Sequence, residues 1–115
     1  MDSQERRRDA RARISLDTCI VRRGEDQPIE MLDASYRGLL LRVVDPPQLR
    51  ELVKLRITLP NACELEMHAV VVRVVGAAAE GGMDVGLRFF ALNGEERRIW
   101  EGFIHEIVNA RAKAA

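Results

Sequence analysis

The 115-residue chain is long enough for one domain that folds without disulfides or a structural metal, and too short for two. Hydrophobic residues make up 47% and charged residues 31%, the balance of a folded globular domain and not of a disordered segment. Its 18 Lys and Arg offset 18 Asp and Glu, which excludes a basic coat for nucleic acid and an acidic tail, so a bound anion must be met by a local cluster.

Residues 1–13 (MDSQERRRDARAR) hold five arginines and three acids and almost no apolar residue able to dock on a core. They are expected to form a flexible arginine-rich arm. The segment lacks the apolar stretch of a secretory signal, and the longest charge-free run in the chain, Ile57 to Cys63, falls far short of the roughly 20 apolar residues of a membrane-spanning helix. A cytoplasmic protein with no membrane insertion is expected.

From Ile14 the pattern becomes strand-like, and a single domain is expected over 14–112. The expected strands are Ile14 to Val21, Gln27 to Leu32, Gly38 to Val44, Leu52 to Leu59, Cys63 to Val75 and Met83 to Ala91. Val53, Leu55, Ile57 and Leu59 alternate with Lys54, Arg56 and Thr58, a period of two that puts one face in the core and one in water. Leu65, Met67 and Ala69 alternate likewise with Glu64, Glu66 and His68, which makes His68 a solvated residue.

Arg22 to Asp26, Pro60-Asn61 and Gly76 to Gly82 supply turns, and Asp45-Pro46-Pro47 stops the third strand because proline has no ladder donor. Cys19 and Cys63 have no CxxC spacing and no nearby histidine, so they read as reduced, part-buried small residues.

The period then changes. Ile99, Trp100, Phe103, Ile104, Ile107 and Val108 fall on one face of an amphipathic helix expected over about 93–112. Asn93 is placed to cap it and Glu96 to answer as in a capping box, while Gly102 weakens it and is expected to mark close packing. Six short antiparallel strands and one terminal helix predict an all-β fold with a C-terminal helix: a small six-stranded antiparallel β-barrel capped by one α-helix.

No carboxylate pair, Ser/His/Asp set or phosphate-cradling glycine loop stands out, so no enzyme, cofactor or metal site is expected. Two segments carry chemistry. In the arm, Arg7 and Arg11 are four residues apart, with Arg8 as the one-residue alternative to Arg7. Guanidinium groups take phosphate oxygens in pairs, grip guanine at O6 and N7, and stack on bases. In Asp33-Ala34-Ser35-Tyr36-Arg37-Gly38, Asp33 can accept from the N1 and N2 hydrogens of guanine, Ser35 can bond a phosphate or an amine, and Gly38 permits close approach. A polar turn satisfying its own amides explains the second segment equally well on its residues alone.

Taken together, the two segments resemble the motifs of the PilZ domain family, receptors for the bacterial second messenger cyclic di-GMP. Arg7-Arg8-Asp9-Ala10-Arg11 matches its RxxxR motif, and Asp33-Ala34-Ser35-Tyr36-Arg37-Gly38 its (D/N)xSxxG motif. Asp84-Val85-Gly86-Leu87-Arg88-Phe89 is similar to the family's last barrel strand. The resemblance implies a cyclic di-GMP receptor in which Arg7 (or Arg8), Arg11, Asp33, Ser35 and Gly38 form the site. Ligand would order the arm, and the ordered arm would signal through an unidentified downstream protein.

The alternative is a PilZ-like interaction module that binds no nucleotide. Direct nucleic-acid binding ranks below both, since no aromatics interleave the arm's arginines. A monomer is favoured over a homodimer because the outer face of the helix (Arg97, Arg98, Glu101, Glu106) is charged.

Overall fold

In a computed structural model that describes residues 12–22, 24–77 and 82–114, the alternation around Val53 to Ile57 forms a strand with every second side chain buried. The strands are β1 (Asp17–Arg22), β2 (Glu25–Ala34), β3 (Gly38–Val43), β4 (Leu52–Thr58), β5 (Glu64–Ala77) and β6 (Met83–Phe90), followed by the helix α1 (Gly94–Ala114). They pair antiparallel in the order β1-β2-β3-β6-β5-β4, and β1 against β4 closes the barrel. Closure gives every strand a hydrogen-bonded neighbour on both sides over part of its length, which limits the open edge available for edge-to-edge association.

Ile20, Met31, Leu39, Leu41, Leu55, Ile57, Met67, Val71 and Val85 fill the interior, drawn from all six strands. Burying a side chain of this size contributes about 1.5–3 kcal/mol, which identifies the barrel core as the main source of stability.

The starts of β3, β4 and β6 fall where expected, and the other boundaries differ by one to three residues. β1 begins at Asp17, where pairing with Thr58 starts; ahead of it Ile14 and Leu16 pack on the core, and the Thr18 hydroxyl donates to the Leu16 carbonyl at 2.8 Å. β2 runs two residues further at each end. Pro28 lies before the stretch of β2 that pairs with β3 from Glu30 onward, so its missing amide costs that ladder nothing. A bulge then sets Leu32 and Asp33 against the single residue Leu40. The extra residue lets Met31 and Ala34 both face the core despite their odd spacing, and turns Asp33 outward. β5 carries two comparable shifts, between Val71 and Arg73 and between Val75 and Ala77.

The helix packs over the barrel as expected, with Trp100 and Ile104 fully buried and Ile99, Phe103 and Val108 against the core. Two expectations about it are corrected. Asn93 makes no side-chain hydrogen bond among the described residues; Gly94 has φ 61°, a left-handed value where a capped helix needs its first right-handed residue. Gly102 is exposed, and a Cβ there would meet nothing within 4 Å, so it marks no close packing.

Candidate functional site

The Asp33 to Gly38 segment is the connection from β2 to β3, and its serine is the most tightly engaged residue in it. Ser35 is fully buried. Its amide donates to the Gly38 carbonyl (2.9 Å), and its Oγ accepts from the amides of Gly38 (3.2 Å) and Arg37 (3.3 Å) while lying 3.3 Å from the Gly38 carbonyl as donor. Its carbonyl accepts from Trp100 Nε1 of α1 at 3.0 Å. Every polar group of Ser35 is therefore used to close the turn and fasten it to the helix.

Gly38 answers a different constraint. A Cβ at this position would fall 2.0 Å from the Leu87 carbonyl oxygen, so only glycine lets β3 lie this close to β6. The Arg37 carbonyl accepts from the Phe89 amide at 2.8 Å, tying the turn to β6 as well. Phe89 meets Trp100 edge-on at 5.4 Å between ring centres, and Trp100 meets Phe103 at 6.0 Å, an aromatic platform beneath the turn. Tyr36 Oη lies 3.4 Å from His105 Nδ1 on α1. Nothing in the spacing of the sequence links Trp100 or His105 to this turn.

Asp33 sits half-buried on the outer surface where the bulge aims it. Arg7, Arg8 and Arg11 lie outside the described residues, as do residues 78–81 of the expected turn before β6 and Arg23 of the turn after β1. The chain is nevertheless described from Ala12, and there it is docked. Ala12 is fully buried and exchanges two hydrogen bonds with Ala34, at 2.8 and 3.0 Å, as an isolated antiparallel bridge. Ala12, expected within the arm, is thus part of the barrel surface, one residue from both Asp33 and Ser35 along the partner strand.

The main electrostatic cluster of the barrel is remote from this turn. Arg56 on β4 pairs with Asp26 of β2 and with Glu64 and Glu66 of β5. The Glu66 hydrogen bond, with Asp26 adding, raises the Arg56 guanidinium further; the hydrogen bonds from Arg56 and Lys54 hold the Glu66 carboxyl below the usual carboxylate range. Burial, reinforced by Asp26 and Asp17, pushes the Cys19 thiol up, and both cysteines are free thiols. Among the described residues no group of His, Cys, Asp and Glu is arranged to hold a metal, and no helix is long and apolar enough to cross a membrane.

A closed six-stranded antiparallel barrel, plugged by a C-terminal helix and bearing a serine-glycine turn fastened to that helix, defines a small helix-capped β-barrel domain. The sequence model of the PilZ domain matches residues 5–106, and the chain belongs to the PilZ domain family. Among solved structures it is similar to K. pneumonia MrkH in complex with c-di-GMP (21% identity, TM-score 0.77, 96% of this chain and 56% of that one). It is similar also to the Bacillus subtilis inhibitor of motility MotI/DgrA (21%, 0.73, 88% and 50%). The PilZ domain of Escherichia coli YcgR with c-di-GMP matches at 16% identity and TM-score 0.68, over 95% of this chain and 97% of that one. The chain thus spans about half the length of MrkH and MotI/DgrA. No curated protein matches it.

Proposed function

We propose that the protein is a cyclic di-GMP receptor whose arginine arm clamps the ligand against the β2–β3 turn. The observation that carries this reading is the Ala12–Ala34 bridge. Adjacent Cα atoms are about 3.8 Å apart, so the Cα of Arg11 is one such step from the docked Ala12 and that of Arg7 at most about 19 Å from it, distances that support a reach from the arm to the Asp33 to Gly38 surface. Both halves of the motif pair are intact in sequence, and MrkH and YcgR, which share the fold, are c-di-GMP complexes.

In this mechanism Arg7 and Arg11 take the phosphates and guanines, with Arg8 able to replace Arg7, and Asp33 accepts from one guanine edge. Ser35 acts through the turn that it closes, and Gly38 through the strand contact that it permits. The ligand supplies two negative charges to a chain of net charge zero, and fixing the arm changes the shape and charge of one barrel face. A downstream protein reads that face; the role is reception, without catalysis, cofactor or metal.

Titration calorimetry of the wild type and of an Arg7→Ala/Arg11→Ala variant tests the proposal. Binding by the wild type and its loss in the variant are expected. Unchanged affinity in the variant refutes the clamp, and absence of binding by the wild type while a partner protein still co-purifies establishes the nucleotide-free interaction module instead.

A further inference from the structure

The barrel register aligns one outward-facing residue from each of four neighbouring strands. Asp33 on β2 is opposite Leu40 on β3, Leu40 is opposite Gly86 on β6, and Gly86 is opposite Arg73 on β5. All four face outward, because the residues flanking them (Ala34, Leu39 and Leu41, Val85 and Leu87) are buried in the core and Val74 packs against it. Strands in a sheet lie about 4.8 Å apart, so the row spans about 14 Å between Asp33 and Arg73 at the backbone.

Gly86 has no side chain, and the space above it is occupied by Arg73. From the point where a Gly86 Cβ would stand, Arg73 Cβ is 3.4 Å and Nε 3.7 Å away. The arginine stem and its Nε therefore fold over Gly86, which is buried although it faces outward, while the rest of the side chain stays exposed to solvent. The shift between Val71 and Arg73 produces this: it places Val72 and Arg73 both outside, and sets Arg73 against the one residue of β6 that offers room.

Arg22, Arg42, Arg56 and Arg97 each pair with a carboxylate. Arg73 has no such partner among the described residues, and neither does Arg88, which adjoins the row opposite Gly38. A guanidinium with no carboxylate partner among the described residues, its Nε set over a glycine, is available to a planar, electron-rich partner.

We infer that Arg73 is a specificity-determining residue of the ligand site and reads the far edge of the guanine whose near edge is held by Asp33. The inference rests on the cyclic di-GMP reading above and deepens it. A base accepted at N1 and N2 by Asp33 extends over Leu40, whose half-buried side chain gives it an apolar floor, and brings O6 and N7 toward Gly86, where the Arg73 guanidinium lies. Adenine presents an amino donor in place of O6, and an arginine at this position repels it.

The test compares wild type, Arg73→Ala and Arg73→Lys by calorimetry with cyclic di-GMP and cyclic di-AMP at one salt concentration. Arg73 is exposed, and equal melting of the three proteins checks that folding is unaffected. We expect Arg73→Ala to weaken cyclic di-GMP binding about tenfold or more and to narrow the preference over cyclic di-AMP, with Lys failing to restore that preference. Unchanged affinity and selectivity in Arg73→Ala overturn this inference and leave the receptor reading standing. Equal losses for both dinucleotides, restored by Lys, also overturn it, because they show a charge contact without base reading. A wild type that binds neither ligand overturns both.

Discussion

Replacing Ser35 by alanine separates the two roles that its position in the turn combines. The substitution keeps the Cβ, so no cavity larger than the hydroxyl forms, but it removes the acceptor for the Gly38 and Arg37 amides. Arg37 is exposed and water can take over its amide; Gly38 is buried, and an unsatisfied buried amide costs about 1–3 kcal/mol. The hydroxyl bonds are long, 3.2 to 3.3 Å, so the loss belongs in the lower half of that range, about 1.5 kcal/mol. For a domain of this size that corresponds to a fall in Tm of about 6 °C. Urea and thermal unfolding of the ligand-free variant measure it. An unfolding free energy within about 0.5 kcal/mol of wild type would show that the turn does not depend on the Ser35 hydroxyl, and the structural account of this motif residue would fail.

Three further outcomes are expected. Gly38→Ala drives a Cβ to 2.0 Å from the Leu87 carbonyl and must part β3 from β6; a loss of about 3–5 kcal/mol, read as a collapsed urea midpoint, is expected where a tolerated variant would place the contact wrongly. Gly102→Ala, in an exposed helix interior with open space around it, should stabilise the protein by about 0.5–1 kcal/mol in the same assay, and a loss would reveal a contact at that site. Glu66 has its folded pKa depressed by Arg56 and Lys54, so its contribution is present in full above the ordinary carboxylate range and is lost as pH falls through the folded value. The stability gap between wild type and Glu66→Gln should therefore close on acidification, and a gap independent of pH would contradict the pairing.

The parts of the fold legible in the sequence are those governed by local period. The β4 alternation, the Leu65 to Ala69 alternation of β5 and the helical stripe through Trp100 and Ile104 each state their own buried face, because a side chain's direction follows from its place in a strand or helix. The motif residues Asp33, Ser35 and Gly38 were legible as a group for the same reason: they sit within six residues of one turn.

What depended on contacts between distant segments was not legible. The bulge at Leu32 and Asp33 exists because Met31 and Ala34 must both face inward once β3 lies alongside. Ala12 belongs to the barrel only because Ala34 offers it a free amide and carbonyl. Gly38 is required by the backbone of β6, and Ser35 is held by a tryptophan 65 residues away. Composition and spacing name the residues and the class of domain, whereas ladder register and packing decide what each residue does, since the partners they supply are chosen by closure of the barrel and not by nearness along the chain.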